Sequence, residues 1–134
     1  MKITTKGRYG ILIMLYLAKE YENNRFISLK EIAESENISI KYLEKIMLNY
    51  KDTDFFVSSR GSEGGYKLAY PPEHYILKDI VEKAEGSIEI VSCLHKDFEC
   101  NKKEKCLSMK LWSDLNKLIT DYLENKTLKD LLEG

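Results

Sequence analysis

The side chains with the most chemistry to offer are three cysteines, Cys93, Cys100 and Cys106, the full cysteine complement of the chain. Six and five residues lie between them, and the stretch reads Cys-Leu-His-Lys-Asp-Phe-Glu-Cys-Asn-Lys-Lys-Glu-Lys-Cys. It is charged and poor in core-forming side chains. Packing alone gives it little reason to order, whereas a group bound to the sulfurs would. Three thiolates held together are soft ligands that suit zinc or an iron–sulfur cluster. An odd cysteine count argues against a closed disulfide framework and suits reduced thiols. His95, Asp97, Glu99 and Glu104 are further donors within the stretch, and each also reads as a solvated loop residue. The rival chemistry is a cysteine nucleophile, which needs a base. His74 and His95 are the only histidines, and His95 lies two residues from Cys93. No oxyanion hole or orienting group accompanies them, so the chain is not expected to be an enzyme.

A chain of 134 residues makes one domain, or one compact domain with an extension. With 43% apolar and 32% charged residues, its balance is that of a soluble globular protein. No run of about 18 apolar residues is present, which argues against a transmembrane helix. The N-terminus lacks a small-residue cleavage site after an apolar core, which argues against a signal peptide. A cytoplasmic protein with no membrane partner is the expectation. The formal net charge is −1, yet residues 1–70 carry 11 Lys and Arg against 9 Asp and Glu, and residues 71–134 carry 10 against 13. The N-terminal half is the more basic, an asymmetry too small to identify a nucleic-acid binder by itself.

The elements that must position the cysteines can be read in order. Thr4 or Thr5 caps a helix over about residues 5–22, whose run from Ile11 to Ala18 is apolar around most of its girth and so is buried on several sides. Ser28 and Glu31 have capping-box spacing and open a second, short helix with Leu29, Ile32 and Ala33 inward. Glu36-Asn37 is a tight turn, and Ser39 caps a third helix to about Tyr50 with Ile40, Leu43, Ile46 and Met47 facing the core. Two short helices across a tight turn make a helix-turn-helix. Residues 55–59 and 66–70 read as strands joined by Arg-Gly-Ser-Glu-Gly-Gly, and Pro71-Pro72 end the second. A helix over about residues 77–84 closes at Glu85-Gly86, ahead of the cysteines. Beyond them Leu111, Leu115, Leu118 and Tyr122 form an apolar helical stripe, with Trp112, Ile119 and Leu123 beside it, and a stripe this wide needs a partner. Thr127 and Asp130 make a second capping box for a short last helix.

A hairpin directly after a helix-turn-helix is a winged helix, in which the second short helix enters the major groove. Its exposed face presents Ser39, Lys41, Tyr42, Glu44 and Lys45. The lysines can approach phosphate or guanine, and Glu44, repelled by phosphate, can accept from cytosine N4. The competing reading is a solvated helix face. At the wing, Arg60 suits a narrow minor groove, and Gly61, Gly64 and Gly65 allow close backbone approach. The competing reading there is a simple hairpin turn, which needs fewer glycines and does not account for Arg60.

Four segments together resemble the IscR-like family of bacterial winged-helix regulators. They are Met-Lys-Ile-Thr-Thr-Lys-Gly-Arg-Tyr-Gly from Met1, Ile-Ser-Leu-Lys-Glu-Ile-Ala-Glu from Ile27, Ile-Ser-Ile-Lys-Tyr-Leu-Glu-Lys from Ile38 and Arg-Gly-Ser-Glu-Gly-Gly-Tyr-Lys-Leu-Ala from Arg60. The family includes sensors of iron–sulfur clusters and nitric oxide and a regulator of cysteine metabolism. The resemblance implies a homodimer on a palindromic DNA operator, with a long C-terminal helix crossing between subunits. It implies DNA contacts from Ser39, Tyr42, Glu44 and Arg60. It also implies ligation by Cys93, Cys100 and Cys106 of a cluster, 2Fe–2S by preference and 4Fe–4S as the alternative. The family's fourth ligand is a histidine where this chain has Met109, or an N-terminal acid where it has Arg8, so the fourth ligand is open. The expected fold is mainly α with a small β-hairpin wing. It comprises a winged helix-turn-helix over residues 1–86, a cysteine loop over 87–107, and a dimerisation helix with a short terminal helix over 108–134. The expected function is that of a DNA-binding transcriptional repressor that senses cluster status, redox or nitric oxide. A cluster-free regulator controlled by cysteine oxidation or a protein partner, or a structural zinc site in the same fold, are the alternatives.

Overall fold

Helix α1 (Thr5–Lys19) runs through the middle of the molecule and packs against several other elements, as its apolar girth requires. The computed structural model describes residues 3–94, 99 and 106–134. Ile13, Met14 and Leu17 are fully buried, each worth roughly 1.5–3 kcal/mol of transfer free energy. Two glycines let neighbours come close. A Cβ at Gly10 would collide with the Tyr50 hydroxyl, which donates to the Ile80 carbonyl at 3.1 Å. A Cβ at Gly7 would sit 2.7 Å from the Glu85 carboxylate. The helix stops at Lys19, three residues short of the expected end. Tyr21–Asn23 form a single 3-10 turn, and Asn24 adopts φ +48°, a left-handed stop that asparagine tolerates.

Helix α2 (Leu29–Glu36) is capped by Ser28, whose Oγ accepts from the Glu31 amide at 3.1 Å. The reciprocal half of the expected capping box does not form. The Glu31 carboxylate instead accepts from Arg25 Nη1 and Nη2 at 2.9 and 2.7 Å and from the Tyr16 hydroxyl at 2.8 Å. A bidentate, charge-assisted pair outcompetes one bond to a neutral amide, and Arg25 holds this carboxyl below its usual range. Asn37, at φ +56°, makes the tight turn. Helix α3 (Ile40–Met47) buries Leu43, Ile46 and Met47, and a 3-10 turn (Leu48–Tyr50) extends it. Ile40 corrects the sequence expectation. It is 39% exposed rather than inward, because the apolar stripe continues one turn past the side chains that could cover it.

Strands β1 (Phe56–Ser59) and β2 (Gly65–Leu68) pair antiparallel, with Phe56 opposite Leu68 and Ser59 opposite Gly65. Ile27 adds a bridge on the far side of β2, exchanging 2.8 Å bonds with Tyr66 in both directions. Below the wing, the Tyr75 hydroxyl donates to the Phe55 carbonyl at 2.6 Å and accepts from the Tyr70 amide at 3.1 Å. Burial pushes this phenol up to about 12. Helix α4 (Leu77–Glu85) ends at Gly86, whose φ of +86° suits only glycine.

Helix α5 (Met109–Glu124) lies against α4, and α6 (Leu128–Glu133) follows. Both halves of the Thr127–Asp130 capping box form. The sequence groups α6 with the dimerisation helix, and α6 packs against α1 and the 3-10 turn Pro72–His74. Leu128 is fully buried in the main core, and two backbone bonds, Leu77 N to Lys126 O at 2.9 Å and Leu128 N to Tyr75 O at 3.1 Å, fasten it there. Among the described residues no helix is long and apolar enough to cross a membrane.

Candidate nucleic-acid interface and cysteine segment

The cap of α3 is Ser39, which is exposed and accepts from the Tyr42 amide at 3.4 Å. Lys41, Glu44 and Lys45 are exposed on the outer face of the same helix. Tyr42 differs from them. It is half-buried, and its ring meets Tyr9 of α1 edge to face at 5.5 Å and 87°, a contact worth about 0.5–1.5 kcal/mol beyond area burial. The Arg8 guanidinium lies 5.9 Å from the Tyr9 ring centre. An open groove of about 630 Å³ joins the start of α1 to α3, lined by Thr5, Tyr9, Asn37, Ser39, Lys41 and Lys45 among others. Ile40 sits exposed beside this groove's Ser39 and Lys41, an apolar group that helical periodicity had assigned to the core.

The wing shares this side of the molecule. Glu44 and Leu48 of the α3 segment line one depression of about 420 Å³ with Ser58 and Tyr66 of the hairpin. Arg60 is exposed just after β1. The three wing glycines have separate reasons to be glycine. Gly61 has φ +104° with open space where a Cβ would stand. Gly64 donates to the Gly61 carbonyl at 3.0 Å, and a Cβ there would meet Arg60 backbone. Gly65, at φ +156°, lies against the Ile27 and Ser28 backbone, so its lack of a side chain serves the extra bridge to Ile27. Lys67 steadies that junction, with Nζ 2.8 Å from Asn24 Oδ1 and 4.7 Å from the Phe26 ring centre.

Cys93 lies in a short 3-10 turn (Ser92–Leu94) and Cys106 lies just ahead of α5, and both are half-buried. The Cys106 sulfur is 3.1 Å from the Ser108 hydroxyl. Cys100, His95, Asp97 and Glu104 fall outside the described residues, and Glu99 is exposed. Met109 opens α5, and Arg8 is exposed on α1. The strand of chain leading to Cys93 is tied to α5 by a 2.9 Å bond from the Ile90 amide to Asn116 Oδ1. Beside it, one carboxylate oxygen of Glu89 is buried without a hydrogen-bond partner, a state that costs free energy unless something pairs with it. Sequence reasoning passed over Glu89, since nothing in residue type distinguishes it from other acids. Among the described residues no three His, Cys, Asp or Glu side chains gather to hold a metal. Cys93 and Cys106 offer sulfur, the donor type that an iron–sulfur cluster takes.

Helix α5 turns Leu111, Leu115, Leu118 and Tyr122 outward, the last two 68% and 62% exposed. Trp112, Ile119 and Leu123 face inward and are half-buried. An apolar cleft of about 320 Å³ runs between this helix, Val81 and Ile3. The opposite side carries Lys110–Asp114 and Lys117–Asp121 pairs at 2.7 and 2.6 Å, worth only ~0.3–0.5 kcal/mol each.

Comparison with known proteins gives one family. Residues 3–134 match Rrf2, described as iron-dependent transcriptional regulators. A helix-turn-helix transcriptional regulator of Neisseria meningitidis is 36% identical over 133 residues, covering 99% of this chain and 88% of the relative. Among solved structures, CymR, the global cysteine regulator of B. subtilis, superposes with a TM-score of 0.79 at 35% identity, covering 98% of this chain and 95% of that one. T. potens IscR superposes with a TM-score of 0.78 at 32% identity, covering 99% and 87%.

The different settings of the wing glycines predict different costs. Gly65→Ala must displace the Ile27 backbone and strain its own, and should lose about 1–3 kcal/mol of stability in denaturant unfolding. Gly61→Ala bears the backbone strain alone and should lose less. Equal losses for the two would show that the approach of Ile27 does not matter.

Proposed function

The chain belongs to the Rrf2 family of transcriptional regulators, and on that premise we propose that it reads a two-fold symmetric DNA operator as a cytoplasmic homodimer under control of a cluster on Cys93, Cys100 and Cys106. The observation that carries the DNA reading is the single face made by α3 and the wing, where Glu44 and Ser58 border one depression. On that face Ser39, Lys41, Tyr42, Lys45 and Arg60 are the contacts to phosphate and base edges, with Gly61, Gly64 and Gly65 admitting the backbone. Glu44 reads cytosine N4, and exposed Ile40 suits a thymine methyl. The outward apolar stripe of α5 is the surface for a second copy, since leaving Leu118 and Tyr122 in water forfeits their burial.

An iron–sulfur cluster, when bound, supplies a ligand state that follows iron supply and oxidation. Cys93, Cys100 and Cys106 would hold it, and the unpaired Glu89 oxygen, four residues ahead of Cys93, would be the candidate for a fourth ligand. The chain's own residues carry the signal onward. The Ile90–Asn116 bond ties the approach to Cys93 onto α5, and Cys106 leads directly into that helix. A change at the sulfurs therefore bears on the helix that joins the pair, and through it on the spacing of two reading heads. The second reading, control by cysteine oxidation without a cluster, draws on the likeness to a cysteine regulator and on the Cys106 sulfur beside Ser108 at the start of α5.

Two experiments test this function. In the first, Glu44→Ala should relax discrimination at one base pair by ~1–3 kcal/mol. Lys41→Ala should weaken all sequences alike and lower the salt slope by about one unit. A Glu44 variant with unchanged base preference would remove it from the readout. In the second, protein purified without oxygen should be brown and contain iron and acid-labile sulfide, and replacing the three cysteines by alanine should abolish both. Glu89→Ala should shift the absorption spectrum and shorten the lifetime of the bound iron in chelator. Colourless wild-type protein free of metal would favour the oxidation reading, and zinc in place of iron would make the site structural.

A further inference from the structure

The Glu85 carboxylate, at the last residue of α4, is a hydrogen-bond hub. It accepts from the Thr4 amide at 2.9 Å, from Thr4 Oγ1 at 2.7 Å and from the Gly7 amide at 2.8 Å. The donors stand 81 and 78 residues away in the chain. They are orphan amides and the cap residue at the start of α1, where a helix favours negative charge. Thr4 Oγ1 also accepts from the Lys6 amide at 3.2 Å, so cap and clamp share one side chain. The approach is close enough that Gly7 cannot carry a Cβ without moving the carboxylate.

What the clamp seats is part of the face described above. The first turns of α1 carry Thr5 and Tyr9, which form one wall of the groove whose other wall is Ser39, Lys41 and Lys45. Tyr9 is also the edge-to-face partner of Tyr42 in α3. One turn further on, Gly10 packs on Tyr50, whose phenol is pushed up by burial, with a smaller contribution from the Glu85 charge. On its other side Glu85 is followed by Gly86 and then by the six residues that lead to Cys93. The clamp thus lies at the junction between the reading head and the cysteine segment.

We infer that Glu85 is a positioning residue for DNA reading: by holding the start of α1 it fixes the Tyr9–Tyr42 contact and with it the set of α3 against the groove. The inference rests on the reading of α3 as the DNA-contacting helix. It assigns Glu85 no contact with DNA. Its removal should therefore cost sequence-specific binding while leaving sequence-independent phosphate binding intact.

The test uses the full chain and a duplex enriched by the wild-type protein from a random-sequence library, with a scrambled duplex of equal length as reference. Glu85→Gln, which substitutes an amide for one accepting oxygen, should lower affinity for the enriched duplex about tenfold, within the range of ordinary coupling energies. Affinity for the scrambled duplex should not change. Tyr9→Ala should lower specific affinity in the wild-type background and add little in the Glu85→Gln background, because both act through one contact. Gly7→Ala, which displaces the carboxylate from the other side, should reproduce the loss and serves where Glu85→Gln fails to fold. Folded Glu85→Gln or Gly7→Ala protein that binds the enriched duplex within twofold of wild type would overturn the inference, as would fully additive losses with Tyr9→Ala. Should the wild-type chain enrich no sequence, the DNA reading itself fails and the inference falls with it. Should it enrich one that the variants bind equally well, only the inference falls.

Discussion

Everything in the molecule depends on how closely α1 can be approached. A mostly apolar helix has to be covered on several sides, and the coverage comes from α3, α4, α6 and β2. Close contact is what lets these short elements share one core. Gly10 admits the Tyr50 hydroxyl, which in turn satisfies the Ile80 carbonyl inside α4. Gly7 admits the Glu85 carboxylate, which satisfies backbone donors that a helix start would otherwise leave open. Each contact couples packing to polar satisfaction, so neither glycine can gain a methyl group without disturbing both. None of the helices packed on α1 exceeds nine residues, too short to be stable alone in water, so their order is borrowed from this shared surface.

The reading face follows from that arrangement. Helix α3 lays Leu43, Ile46 and Met47 on the core, which leaves Lys41, Glu44 and Lys45 outward by the 3.6-residue period alone. The wing is held against the same body by the Ile27 bridge and by Tyr75, whose hydroxyl joins the start of β1 to the chain after β2. Helix α5 is different in kind. It buries no residue fully and keeps a row of large apolar side chains in water. A helix of that character makes sense as half of a larger interface, and it begins directly after Cys106.

Much of this was legible because the signals are local. Ser28, Ser39 and Thr127 cap the helices they precede, Asn37 makes the left-handed turn, and Gly86 ends α4. The membership in a winged-helix regulator family was legible too, since its motifs lie in order along nearly the whole chain. The misses are all tertiary. Ile40 has the right period for the core, but the core ends before reaching it. Glu31 has the spacing of a capping box, but Arg25 and Tyr16 compete for it and win. Nothing near Glu85 announces that it caps a helix 81 residues upstream. Leu128 reads as the opening residue of a short terminal helix, yet it is fully buried in the main core. At the cysteines, sulfur is the donor type the residues offer to the proposed cluster, whereas no residue type points to a fourth ligand. Glu89 stands out only once its oxygen is found buried and unpaired.

The central claim is that the cysteine segment and the DNA-reading face are thermodynamically linked. It is tested most directly by titrating one fluorescent operator duplex, enriched by the protein itself, with three anaerobic samples at fixed salt. These are the iron-loaded chain, the same chain stripped by chelator, and the variant with Cys93, Cys100 and Cys106 replaced by alanine. Linkage of ordinary size predicts that the loaded and stripped samples differ in affinity by at least about fivefold, with the alanine variant matching the stripped chain. Three coincident binding curves would contradict it.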